Sequence, residues 1–132
     1  MNFRNVMVVG GALAMVFGIG FLLIPGPLAS LYGIELTSSS TFVARLLGVE
    51  LAGYGILSWL LRNLIEFHVQ RLVLLAFFIT DATGFVVSVL SQLDGRMNSL
   101  GWSIVLIYLL LSLAFGYLYI AGTNAPAAGE AR

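Results

Sequence analysis

Glu50 and Asp81 are the residues of this sequence with the clearest capacity for chemistry. Each falls in the middle of a long apolar segment, 16 residues before and 15 after Glu66 in the intervening connection. A hairpin folded about Glu66 therefore brings both acids to the same depth. A carboxylate in hydrocarbon is costly, and such groups persist where they are paired or functional. If the two meet in a low dielectric they cannot both stay charged: one takes up a proton, or a cation sits between them. That is the chemistry of proton relays and cation carriers. The alternative is packing, in which a protonated carboxyl hydrogen-bonds to Thr80, Thr83, Tyr54 or a facing carbonyl and fixes two helices together.

Other polar residues surround this pair. Arg45 lies one turn inside the second apolar segment, where its side chain either snorkels to the nearer interface or pairs with an acid or an anionic headgroup. Arg45 and Glu50 are five residues apart, about 7.5 Å along a helix axis and on different faces, so they make a poor ion pair. In the third segment Thr80, Asp81, Gly84, Ser88, Ser91 and Gln92 share one side, which must face protein or water. Tyr108 is deep in the fourth segment and needs a partner for its hydroxyl, so it is a candidate to line a cavity. The candidate ligand- or ion-binding residues are thus Glu50, Asp81, Arg45, Tyr54, Thr80 and Ser88. No nucleophile–base pair, phosphate loop or metal-spaced cluster is present, so neither a catalytic residue nor a metal ligand is assigned, and no cofactor can be named. His68, the single histidine, reads as an interfacial residue; two-histidine haem ligation within one chain is excluded.

The elements that must position these residues follow from composition. Of 132 residues 60% are hydrophobic and only 9% charged, with a mean hydropathy of +1.03. Soluble domains average about 25% charged residues, so the chain reads as a membrane protein. A crossing takes roughly 20 apolar residues. Four crossings are expected, at about 6–24, 41–61, 72–93 and 101–121, in one domain over 1–122. The fold class is all-α, an antiparallel four-helix transmembrane bundle. The first span is longer than the core of a typical signal peptide and is expected to remain uncleaved. Pro25-Gly26-Pro27 ends it, and 28–34 forms a short interfacial turn of helix. Thr37-Ser38-Ser39-Ser40 offers caps for the second span, Asp94-Gly95 turns the chain into the fourth, and 123–132 is expected to be a disordered cytoplasmic tail.

Net charge is zero and the six basic residues, all arginines, are scattered, so no nucleic-acid surface is present. With no cysteine there is no disulfide or thiol chemistry. Arg4, Arg62, Arg71 and Arg132 gather at one end against Arg96 at the other, which puts both termini on the cytoplasmic side. Small residues form further stripes: Gly10, Ala14 and Gly18; Ala44, Gly48, Ala52 and Gly55; Ser112 and Gly116. Their expected use is close packing inside the bundle. Glu50 lies about opposite the stripe of its own helix, so either the second span is central or Glu50 faces a second protomer or another partner.

Leu23-Ile24-Pro25-Gly26-Pro27, Leu31-Tyr32-Gly33-Ile34, Arg45-Leu46-Leu47-Gly48 and Gly53-Tyr54-Gly55-Ile56-Leu57 together resemble small bacterial four-helix membrane proteins of unknown function, loosely similar to the DoxX-like group. The resemblance spans about half of the chain and implies a compact antiparallel bundle in the bacterial cytoplasmic membrane. The functional expectation is a membrane binding or accessory protein. It would join a larger complex or hold a hydrophobic ligand such as a quinone, lipid or pigment. The competing expectation is a homo-oligomeric proton-coupled transporter or channel using Glu50 and Asp81. Partners are the bilayer and possible further subunits or copies of the chain.

Overall fold

A computed structural model describes residues 2–122; the tail expected over 123–132 lies outside the described residues. The chain is all-α. Helix α1 runs Phe3–Leu23, α2 Pro25–Leu31, α3 Ser38–Leu61, α4 Phe67–Leu93 and α5 Gly101–Ala121. Helices α1, α3, α4 and α5 are long and apolar enough to cross a membrane. Large apolar side chains such as Leu23, Leu60 and Ile120 cover the outside, while Ser58, Asp81, Ser88 and Ser112 are buried. Such an arrangement suits hydrocarbon as the surrounding solvent.

Local signals set the boundaries, and some helices begin earlier than their apolar runs. Asn2 caps α1, accepting from the Asn5 N–H at 2.9 Å. Pro25 stands in the first turn of α2, where its missing N–H costs nothing; the proline pair that stops α1 thus also starts the next helix, and the turn expected at 28–34 is a helix at 25–31. Thr37 and Ser40 form a capping box that carries α3 back to Ser38. Likewise α4 begins at Phe67 rather than 72. Its first turn carries His68 and Gln70 among apolar residues, but backbone groups entering a membrane must be bonded within the helix, so the helix forms before the hydrocarbon begins. Arg71 in that turn lies over the Tyr119 ring, 4.8 Å from its centroid, and Arg62 lies 3.9 Å over Trp59.

The four long helices alternate in direction and associate as two close pairs, α1 with α3 and α4 with α5, with few close backbone approaches between pairs. Small residues explain the first pair. A Cβ built on Gly48 would stand 2.6 Å from the Leu22 nitrogen, and one on Gly18 2.5 Å from the Ala52 nitrogen. Between the pairs, one half of the bundle is packed solid. Met7, Leu74, Phe77 and Phe115 meet there with Phe3, Val6 and Leu118, at the proximal end where α1 starts and α5 finishes. At the opposite, distal end, Asn98 ties the connections together: its side-chain amide donates to the Leu31 carbonyl at 2.8 Å, and its backbone N–H donates to the Tyr32 carbonyl at 2.9 Å.

Candidate functional site

The distal half is hollow. A cavity of about 280 Å³ opens between the two helix pairs, lined by Ala14 and Phe17 of α1, Leu47, Leu51 and Tyr54 of α3, Thr80 and Asp81 of α4, and Ile107, Tyr108 and Leu111 of α5, among others. The pairing of the helices explains it. Glycines bring α1 and α3 together backbone to backbone, and Gly84 and Gly116 seat aromatic rings between α4 and α5, whereas the boundary between pairs is crossed mainly by large side chains, and these do not fill it.

Asp81 is 3% exposed. Its Oδ2 accepts a hydrogen bond from the Tyr54 hydroxyl at 3.1 Å, a bridge from α4 to α3. The Tyr54 ring lies against Phe77, with centroids 4.4 Å apart, and Phe77 is in turn 5.3 Å from Phe115. The acid therefore stands where the packed aromatic half ends and the cavity begins. Its Oδ1 makes no hydrogen bond to any described residue.

Tyr108 stands beside this floor. One turn beyond Asp81, Gly84 faces the Tyr108 ring, and a Cβ there would come within 2.5 Å of it. Absence of a side chain at 84 gives the ring its place. The Tyr108 hydroxyl has no hydrogen-bond partner among the described residues. Tyr108 also lines a second, wider cavity of about 520 Å³ toward the distal end, together with Gly33, Glu35, Ser88, Ser91 and Arg96. Ile34, Ile104 and Tyr108 border both spaces, so the two cavities are neighbours.

The six candidates of the sequence separate into three groups. Tyr54, Thr80 and Asp81 line the inner cavity. Ser88 is buried beside the wider cavity, with its hydroxyl donating to the Phe85 carbonyl at 2.9 Å; Thr80 similarly donates to Ala76 at 3.0 Å. Glu50 and Arg45 are elsewhere, exposed on the outside of α3 and without a hydrogen bond or ion pair to a described residue. Glu50 and Asp81 do not form a dyad: one faces outward and the other inward. Tyr54, on the edge of the helix face that carries Glu50, bonds to Asp81 instead.

Some residues of the site carried no signal in the sequence. Phe17, Ile104 and Ile107 resemble every other apolar residue of a membrane helix, and Ile34 lies in the connection between α2 and α3. Gly84 stood on the polar side of its helix, but nothing marked it as the seat of a tyrosine ring.

No family model, curated protein or solved structure matches this chain.

The cavity can therefore be read only from its own chemistry. It offers a mostly apolar wall that also carries a carboxyl with one oxygen uncommitted and a second phenol, that of Tyr108. Such a surface surrounds an apolar body and fixes one polar head by hydrogen bonds. Among the described residues no group of three acidic, histidine or cysteine side chains could hold a metal ion.

Proposed function

We propose that this protein is a small integral-membrane binding protein that holds a hydrophobic ligand with its polar head against Asp81 and Tyr108. The observation that carries this reading is a mid-span cavity lined from all four long helices, whose one carboxyl is anchored by Tyr54 and keeps an oxygen free. Small-molecule pockets measure roughly 300–1,000 Å³, so about 280 Å³ suits one ring or head rather than a whole lipid or pigment. Among the expected ligand classes this favours a quinone-type ring, with its isoprenoid tail leaving along the helices. A quinone carbonyl accepts from Tyr108 and from a protonated Asp81; a quinol hydroxyl donates to the ionised acid.

The protein belongs, on this reading, in the bacterial cytoplasmic membrane with its proximal end in the cytoplasm, since Arg4, Arg62 and Arg71 lie there against Arg96 at the distal end. The wider cavity then lies toward the outer side. Accessory attachment to a larger complex is compatible with ligand holding and requires no other site.

Extraction of protein purified from native membranes, with mass spectrometry of the extract, tests the proposal. A stoichiometric quinone or other single-headed apolar molecule is expected. Its loss from an Asp81→Asn/Tyr108→Phe double variant that keeps its helicity is expected too. Full retention of the ligand by that variant, or no ligand and no uptake of added short-chain quinone, would refute it. So would a proton-driven flux in vesicles that Asp81→Asn abolishes, which supports the transporter instead.

A further inference from the structure

Asp81 is accounted for inside the bundle; Glu50 is not. It lies midway along α3, exposed on the outer surface, with no partner among the described residues. A carboxyl turned toward hydrocarbon is expected to be covered by protein or to meet a hydrogen-bonding partner.

Glu50 stands in a row of exposed residues along α3. Val43, Leu46, Glu50, Gly53, Leu57 and Leu60 follow at alternating intervals of three and four residues, and all six are exposed. This is the 3.5-residue period of a left-handed helix–helix seam, in which a single polar residue sets register and partner number. The seam runs opposite Gly48, Gly55 and Ser58, the residues that seat α3 on α1. Gly53 is its other distinctive position. A Cβ there would meet nothing within 4 Å, so its smallness serves no contact in its own bundle. On a helix interface a small residue lets two backbones approach.

We infer that this seam is the interface of a homodimer, with α3 of a second copy packed parallel to it about a two-fold axis along the membrane normal. In that arrangement each seam residue meets its own counterpart at equal depth. Glycine faces glycine, the apolar ends face apolar ends, and Glu50 faces Glu50. Two carboxyls in a low dielectric do not both remain charged; the protonated one donates to the other. Glu50 is thus complementary to itself and needs no foreign cation, which selects a second copy over an unrelated helix. The bias of arginines to the proximal end favours one insertion direction and hence the parallel pair. This surface is separate from the cavity and stands whether or not a ligand is bound there.

The chain has no cysteine, so single cysteines report the seam directly. In native membranes, and in phosphatidylcholine–phosphatidylglycerol vesicles at low protein-to-lipid ratio, Leu46→Cys and Leu57→Cys are each expected to give a disulfide-linked dimer on mild oxidation. Leu106→Cys on the exposed face of α5 is not. Gly53→Leu, which has open space in its own bundle, should preserve helicity and abolish both crosslinks. Glu50→Leu should weaken association roughly 3- to 30-fold, the worth of one hydrogen bond between membrane helices. Four results would each overturn the inference: no crosslink at either seam position; a crosslink only between Leu46→Cys and Leu57→Cys, as in an antiparallel pair; a crosslink to a different polypeptide; or a Gly53→Leu protein that dimerises like the parent.

Discussion

Gly48→Ala and Gly53→Ala add the same methyl group to the same helix, five residues apart, and should have opposite effects. At position 48 the new Cβ would stand 2.6 Å from the Leu22 nitrogen and 2.8 Å from the Gly18 oxygen. Both are backbone atoms and cannot turn aside. Ordinary contact begins near 3.4 Å, so α1 and α3 must part by about 1 Å at their closest approach. Overpacking of this kind costs about 1–3 kcal/mol, a factor of roughly 5 to 150 in the ratio of folded to unfolded protein. At position 53 the methyl meets nothing within 4 Å. Alanine's advantage over glycine within a helix, up to about 1 kcal/mol, applies at both positions, so the difference between the variants isolates the packing cost. Reversible unfolding in mixed micelles with increasing dodecyl sulfate measures it. Trp59 and Trp102 fluorescence and far-ultraviolet circular dichroism supply the signals, at concentrations where the midpoint does not depend on protein amount. Adding Gly18→Ala to Gly48→Ala should cost less than the two single changes summed, because the first methyl has already opened the gap. Equal stability of Gly48→Ala and Gly53→Ala, or a more stable Gly48→Ala, would refute the close α1–α3 approach on which the fold rests.

Tyr54→Phe removes the hydroxyl that donates to Asp81 and leaves a buried carboxyl without its partner. A destabilisation of about 1–3 kcal/mol is expected in the same unfolding measurement, and Tyr54→Phe/Asp81→Leu should recover part of it because neither polar group remains. Gly84→Ala places a methyl against the Tyr108 ring, which has a cavity to swing into. Weaker ligand binding by isothermal titration, with little loss of stability, is therefore expected; unchanged binding would mean that the ring does not define the site.

Depth in the membrane is a one-dimensional property, and the sequence contains it. Hydropathy placed four spans, Pro25-Gly26-Pro27 and Asp94-Gly95 placed two of the reversals, and counting from Glu66 put two acids at mid-span. Helix periodicity went one step further, setting Glu50 opposite the small residues of its own helix; Gly48 and Gly55 do pack against α1. Helix starts were less legible, because hydropathy marks where hydrocarbon begins, whereas Thr37 and Glu66 mark where hydrogen bonding begins.

Only the tertiary structure decided which acid faces inward. That depends on how far each helix is rotated about its axis, and the rotation is set by contacts with other helices. On α1, Gly11 meets α3 while its neighbour Gly10 meets Leu111 and Phe115 of α5, a division that the spacing of Gly10, Ala14 and Gly18 does not reveal. Pairing of α1 with α3 and of α4 with α5 leaves the boundary between pairs to side chains. There Tyr54 crosses to Asp81, while inside the α4–α5 pair Gly84 admits Tyr108, and the remaining space is the cavity. The sequence by itself determined that two carboxyls lie at mid-span; packing turned Asp81 inward to floor a cavity and left Glu50 on the outer surface, because small residues choose which faces meet.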